Sequence, residues 1–189
     1  MKISIITIFT SFMFAGAYVS YDVSVEANLD FSYSINYDGY SYSQSGSDKV
    51  DYDDGGITIG FEGNLKGSSG IVPGISYDIV KMKEGNVENG FINIYGKYYT
   101  QLGSGLSAWG LLGWNLIADG SDMAQELDNG DSWEGSYSYG FGVKMKNGLS
   151  IGYIFNRAIF EMDESSYYGY SASAEFDGSF QRMVVAFHF

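Results

Sequence analysis

The sequence predicts an all-β chain, closed as an eight-stranded antiparallel up-and-down barrel. Apolar and polar residues alternate with period two along most of the chain, the pattern of strands with two unlike faces. The stretches between alternating segments are short and long by turns, as in a meander. Composition agrees: 26 Gly, 17 Tyr and one Pro among 189 residues favour many short strands joined by turns. The length suits one domain. With no Cys, disulfides and Cys-based zinc sites are excluded. A formal net charge of −13 leaves no basic patch to replace phosphate counterions, so nucleic acid is not a partner.

Residues 1–17 read as a signal peptide. Lys2 is followed by an apolar run from Ile3 to Phe14 and then by Ala15-Gly16-Ala17, a small-residue cleavage site. The run is about a dozen residues, short of the ~20 that a spanning helix needs. Cleavage after Ala17 leaves a barrel domain over 18–189.

The first strand sets Val19, Tyr21, Val23, Val25, Ala27, Leu29, Phe31, Tyr33 and Ile35 against Ser20, Asp22, Ser24, Glu26, Asn28, Asp30, Ser32 and Ser34. The second lies near 56–65, with Ile57, Ile59, Phe61 and Leu65 on one face. The third, near 71–82, carries Ile71, Ile75, Tyr77 and Ile79, with Pro73 tolerated near its start. The fourth, near 90–102, sets Ile92, Ile94 and Tyr98 against Asn93, Tyr95 and Lys97. The fifth, near 106–118, sets Ala108, Leu112, Trp114 and Leu116 against Ser107, Trp109, Gly113 and Asn115. In the sixth, near 136–146, Tyr137, Tyr139, Phe141 and Val143 oppose Ser138, Gly140, Gly142 and Lys144. The seventh, near 149–161, alternates until Arg157, where a bulge or the membrane rim is expected. The eighth, near 173–189, ends on Met183, Val185, Phe187 and Phe189 against Arg182, Val184, Ala186 and His188.

Short connections fall at 66–70, 103–105 and 146–148, and longer ones at about 36–55, 83–90, 119–135 and 162–172. Asn147-Gly148 is a hairpin signal. Eight strands then bring both termini to the short-turn side.

Alternation alone does not say which face is inside, and a lipocalin-like soluble barrel would alternate too. Three features favour a transmembrane barrel with the apolar face outward. The polar face is mostly Ser, Gly, Asn and Thr, too poor in charge for a water-washed surface. Tyr and Trp recur near strand ends, where interfacial girdles belong. The last strand stays apolar at alternate positions to its final residue. That segment, Met183-Val184-Val185-Ala186-Phe187-His188-Phe189, resembles the C-terminal signature of bacterial outer-membrane proteins. Together with the signal peptide and strand count, the mature chain resembles the small eight-stranded OmpA/OmpX-type, porin-family barrels. The resemblance implies an outer-membrane location, outer-membrane lipids and the assembly machinery as partners, and Met183, Val185, Phe187 and Phe189 as an assembly signature.

Four constellations are candidates for chemistry. Asp22, Glu26, Asp30, Glu62, Asp78, Lys97, Lys144 and Arg182 fall on the polar face and are expected to form a lumen charge network, because buried charges need partners. Such a network fits a packed plug or an ion path, and an interior ringed by ~8 strands is one that side chains can fill. Acidic stretches in the long connections form the second: Asp48, Asp51, Asp53 and Asp54; Asp119, Asp122, Glu126, Asp128, Asp131 and Glu134; Glu161, Asp163 and Glu164. They read as solvated charge, with Asp51, Asp53 and Asp54 the weak candidates for a hard cation, lacking the later Glu of an EF-hand. Loop aromatics form the third: Tyr37, Tyr40, Tyr42, Trp133, Tyr167, Tyr168 and Tyr170 suit contact surfaces or an outer girdle. Catalysis is the fourth, and the only His, His188, sits at the inner end, leaving a hydrolytic triad no seat at the outer rim.

The expectation is therefore a monomeric, non-enzymatic barrel without cofactor. Its loops would meet an extracellular ligand or surface partner, in adhesion or envelope integrity. A narrow porin-like channel for small solutes and a lipid- or peptide-processing enzyme stand as alternatives.

Overall fold

A computed structural model describes residues 16–50, 55–65, 67–81, 88–117, 132–165 and 170–189. The strands are β1 (Gly16–Tyr37), β2 (Tyr40–Val50), β3 (Ile57–Glu62), β4 (Ser69–Lys81), β5 (Glu88–Gly103), β6 (Leu106–Ile117), β7 (Ser132–Met145), β8 (Leu149–Ser165) and β9 (Tyr170–His188). All pair antiparallel, neighbour to neighbour, and β1 pairs β9 to close the sheet on itself. β2 and β3 share one position in the barrel. Both lie on the same side of β1, β3 against Gly16–Tyr21 and β2 against Ala27–Tyr37. The closed barrel therefore has eight strand positions.

The expected turns at the inner end are present, and both described ends of the chain lie there. Phe189 donates its backbone N–H to the Ala17 carbonyl at 2.9 Å. The outer end differs from expectation. Residues 36–55 do not form one long loop, because β1 continues to Tyr37 and turns back at once into β2. Asp38 and Gly39 have φ of 47° and 83°, the two positive values of a type I′ hairpin turn. Asp-Gly is the residue pair that turn selects. Likewise β8 runs to Ser165 and β9 begins at Tyr170, so most of the predicted 162–172 connection is strand.

Burial alternates along the barrel wall. Residues 57–62 run exposed, buried, exposed, buried, exposed, buried. Every barrel position sends large apolar side chains outward: Val19, Ile59, Ile71, Ile94, Leu112, Phe141, Tyr153 and Phe187 are all exposed. On β6 this face runs from Leu106 to Leu116. About ten residues at ~3.3 Å each, tilted ~45°, rise roughly 23 Å, close to the ~25 Å apolar band of outer-membrane barrels. A soluble barrel would bury this face, whereas Leu112 is 73% exposed and Phe189 76%.

One bulge decides what happens above the band. Between β1 and β9 the register shifts at Asp22/Ser24: Asp22 opposes Val184 and Ser24 opposes Met183, leaving Val23 as the extra residue. Side chains alternate with period two, so one extra residue exchanges the faces. Below the bulge Val19 and Tyr21 face out. Above it Glu26 faces out opposite exposed Gln181, and Asp30 is exposed opposite Asp177. Glu26 and Asp30 therefore leave the predicted lumen network. The single unbroken alternation read from Val19 to Ile35 is two alternations of opposite sense.

β8 passes Arg157 without a shift in register, so the rim, rather than a bulge, accounts for that residue. Arg157 faces outward just above the apolar band. Its Nε donates to Asp177 Oδ1 at 2.9 Å, and its Nη1 to the Tyr137 hydroxyl at 3.3 Å. Beyond this level β1, β2, β8 and β9 continue upward as a sheet. Tyr37 lies 15 residues (37 − 22) past Asp22, roughly 50 Å of strand.

Candidate functional site

The inward faces of the strands meet in the lumen, which carries two polar clusters. The upper cluster is an ion triad drawn from three strands. Arg182 on β9 donates from Nη2 to Asp78 Oδ2 on β4 at 2.8 Å and from Nη1 to Asp22 Oδ2 on β1 at 3.4 Å. Asp22 is 0% exposed, and Asp78 and Arg182 are 2% exposed. Ser76 donates its hydroxyl to Asp78 Oδ1 at 2.9 Å. Gly56 has no side chain where a Cβ would strike the Asp22 carboxylate, so the acid can sit at the wall.

The lower cluster surrounds Lys97. Its ammonium pairs with Glu62. It also lies over four rings: Trp109 at 4.7 Å, Tyr95 at 5.3 Å, Tyr18 at 5.5 Å and Tyr99 at 5.8 Å from the ring centroids. Cation–π attraction and the ion pair together compensate the lost hydration of Lys97. The Tyr99 hydroxyl donates to Glu62 Oε2 at 2.7 Å and the Tyr95 hydroxyl to Oε1 at 3.1 Å. Trp109 donates Nε1–H to Ser150 Oγ at 3.0 Å. The rings fit because glycines face them. A Cβ on Gly74 would enter the Tyr95 ring, and one on Gly152 the Trp109 ring. Such pairing of large with small fills a narrow barrel.

Lys144, on the predicted polar face, is half-buried with Nζ 5.5 Å from the Tyr99 ring centroid. It lines an inner-end cavity of about 590 Å³, together with Glu62, Tyr99 and Lys146. His188 is partly buried at the same end, stacked on Tyr18 at 5.1 Å, with Nδ1 3.7 Å from Glu62 Oε2. Sequence reasoning did not single out Tyr18, Tyr95, Tyr99 or Trp109. The signal for Tyr95 and Trp109 was present, since both are bulky aromatics at polar-face positions of their strands.

Of the eight predicted network charges, Asp22, Asp78 and Arg182 meet in the upper cluster and Glu62, Lys97 and Lys144 in the lower, while Glu26 and Asp30 join neither. Met183 and Val185 are half-buried on the outer face, and Phe187 and Phe189 are exposed there, their rings 5.2 Å apart. Asp51, Asp53 and Asp54 lie outside the described residues, as do Asp119, Asp122, Glu126, Asp128, Asp131, Tyr167 and Tyr168. Glu134, Glu161, Asp163 and Glu164 belong to strands rather than loops. Tyr37, Tyr40 and Tyr42 stand exposed on the β1–β2 hairpin. Tyr33 and Tyr42 both donate to Gln44 Oε1, at 2.8 and 2.9 Å.

No protein family and no curated protein matches the sequence. Among solved structures, the chain is similar to the outer membrane protein OprG from Pseudomonas aeruginosa, at 11% identity and a TM-score of 0.45, over 93% of this chain and 96% of that one. It is similar to Ail, the attachment invasion locus protein of Yersinia pestis, at 13% identity and a TM-score of 0.33, over 90% and 98%. Neisserial surface protein A is similar at 13% identity and a TM-score of 0.37, over 87% and 95%. The strand closure, the outward apolar band and the polar interior are features of this chain itself. Its described strands form a closed antiparallel β-barrel of eight strand positions with the apolar face outward.

Proposed function

We propose that this barrel is a non-enzymatic surface protein whose lumen is a plug and whose contacts are made by its outer end. The carrying observation is the lumen packing: the Asp22–Arg182–Asp78 triad ties β1 and β9 to β4, and the ringed Lys97–Glu62 pair ties β3 to β5. Side chains tied across the lumen from several strands leave a solute no continuous path. The wall reaches well beyond the apolar band on β1, β2, β8 and β9, presenting exposed Tyr37, Tyr40 and Tyr42 outward. Tyr supplies large amphipathic contact area at low entropic cost, which suits adhesion or an envelope contact. The lone His188 sits at the inner end against Glu62 and Tyr18, which supports a packing role over a base at the outer rim.

Purified protein in planar bilayers is expected to give no stable open-channel current. Large, steady unitary currents would replace the plug with the narrow-channel reading. Export with loss of residues 1–17 belongs to the same proposal. The protein isolated from outer membranes is then expected to begin at Tyr18, and an intact mass retaining the apolar run would overturn that step.

A further inference from the structure

We propose that the upper lumen binds a single structural water, which ties the Arg182 triad to the facing wall. The triad uses β1, β4 and β9. Across from it stand Asn115 on β6, Ser136 on β7 and Asn156 on β8. Asn115 Oδ1, Ser136 Oγ, Asn156 Oδ1 and Arg182 Nε are all buried and lack a hydrogen-bond partner among the described residues. Asn115 and Ser136 are 1% exposed and Arg182 is 2% exposed. These four residues line one small space of about 10 Å³, together with Asp78, Phe91 and Phe180. That volume is about one water-sized probe sphere, and a bound water needs two to four polar partners. Buried polar atoms without partners are rare in folded proteins, so four around one void point to a shared ligand.

The donor set selects among small ligands. Two carboxylates against one guanidinium give the triad a net negative charge, which disfavours an anion. A cation would meet the Arg182 Nε–H, a positive donor. Water matches every group: it accepts from Arg182 Nε–H and Ser136 Oγ–H, and donates to Asn115 Oδ1 and Asn156 Oδ1. The Phe91 and Phe180 rings, in edge contact at 6.3 Å, flank the void with apolar surface and slow the exchange of its occupant.

The test is nuclear magnetic resonance on the full barrel in lipid nanodiscs. The Arg182 Nε–H and the Asn115 and Asn156 side-chain amides are expected to show cross-relaxation with a water that exchanges more slowly than the particle tumbles. Asn115→Leu, which fills the void with apolar atoms, is expected to abolish that signal. Ser136→Ala removes one donor with little change in volume, and is expected to shorten the residence time even where the leucine variant folds poorly. Absence of slow water in the wild type, or an unchanged residence time in Ser136→Ala, overturns the proposal. So does a shift of these resonances on titrating sodium or chloride, which would assign the site to an ion. Conductance reads the whole lumen and this experiment reads one void, so the plug and the water fail separately.

Discussion

Replacing Arg182 with methionine is expected to cost the barrel about 3–5 kcal/mol, because it strands two buried carboxylates. Asp22 and Asp78 are almost fully buried, and Arg182 is the cation that contacts both. The loss has little to do with methionine's own packing. It arises from the penalty of an unpaired charge in low dielectric, which breaking a buried pair exposes in full. The triple variant Asp22→Asn, Asp78→Asn, Arg182→Met removes the charges together. It is expected to recover most of that loss, since neutral replacement of a whole buried ion cluster is often close to neutral. Urea unfolding in lipid vesicles measures both. A single variant within about 1 kcal/mol of wild type would mean that the acids do not depend on Arg182.

Leucine 112 to arginine is the second large effect. Leu112 lies midway along β6, faces outward and is 73% exposed. In lipid, an arginine near the bilayer midplane costs roughly 2–4 kcal/mol, while near the interface the cost falls to about 0–1 kcal/mol. In water the same change on an exposed side chain would be nearly silent. Reversible unfolding from bilayers is expected to show the larger figure for Leu112→Arg. Glu26→Lys is expected to change stability by no more than about 1 kcal/mol, because the bulge turns that residue outward above the band. A silent Leu112→Arg would remove lipid from the outer face. A severe loss in Glu26→Lys would return Glu26 to a buried, paired site.

The inward and outward faces were legible for most of β3 through β9, because alternation holds along most of each strand, with departures at Arg157 and Gln181. Ser138 and Tyr139 show the simplest case, one buried and the other exposed. The inner turns were legible from Gly-rich segments such as Lys146-Asn147-Gly148. The outer end was read less well. Asp38-Gly39 carried its hairpin signal, yet the polar, Ser-rich stretch after it has the composition of a loop, and β2 forms because β1 offers it an edge.

The sequence by itself determined the class of fold and the two unlike faces of the wall through the local period of two, while the inward sense of the polar face, correct for six of the eight network charges, came from the low charge of that face and the aromatic residues near strand ends. It did not determine the partners. Asp22 and Arg182 stand 160 residues apart, and they meet only because β9 closes on β1. Nor did it reveal that Lys97 would be ringed by Tyr18, Tyr95, Tyr99 and Trp109, since that depends on glycines on neighbouring strands. Glu26 and Asp30 mark the limit most clearly. Their alternation with Val25 and Leu29 is the same whichever face is in, and one extra residue at Val23, visible only once β1 is paired with β9, turns them out of the lumen.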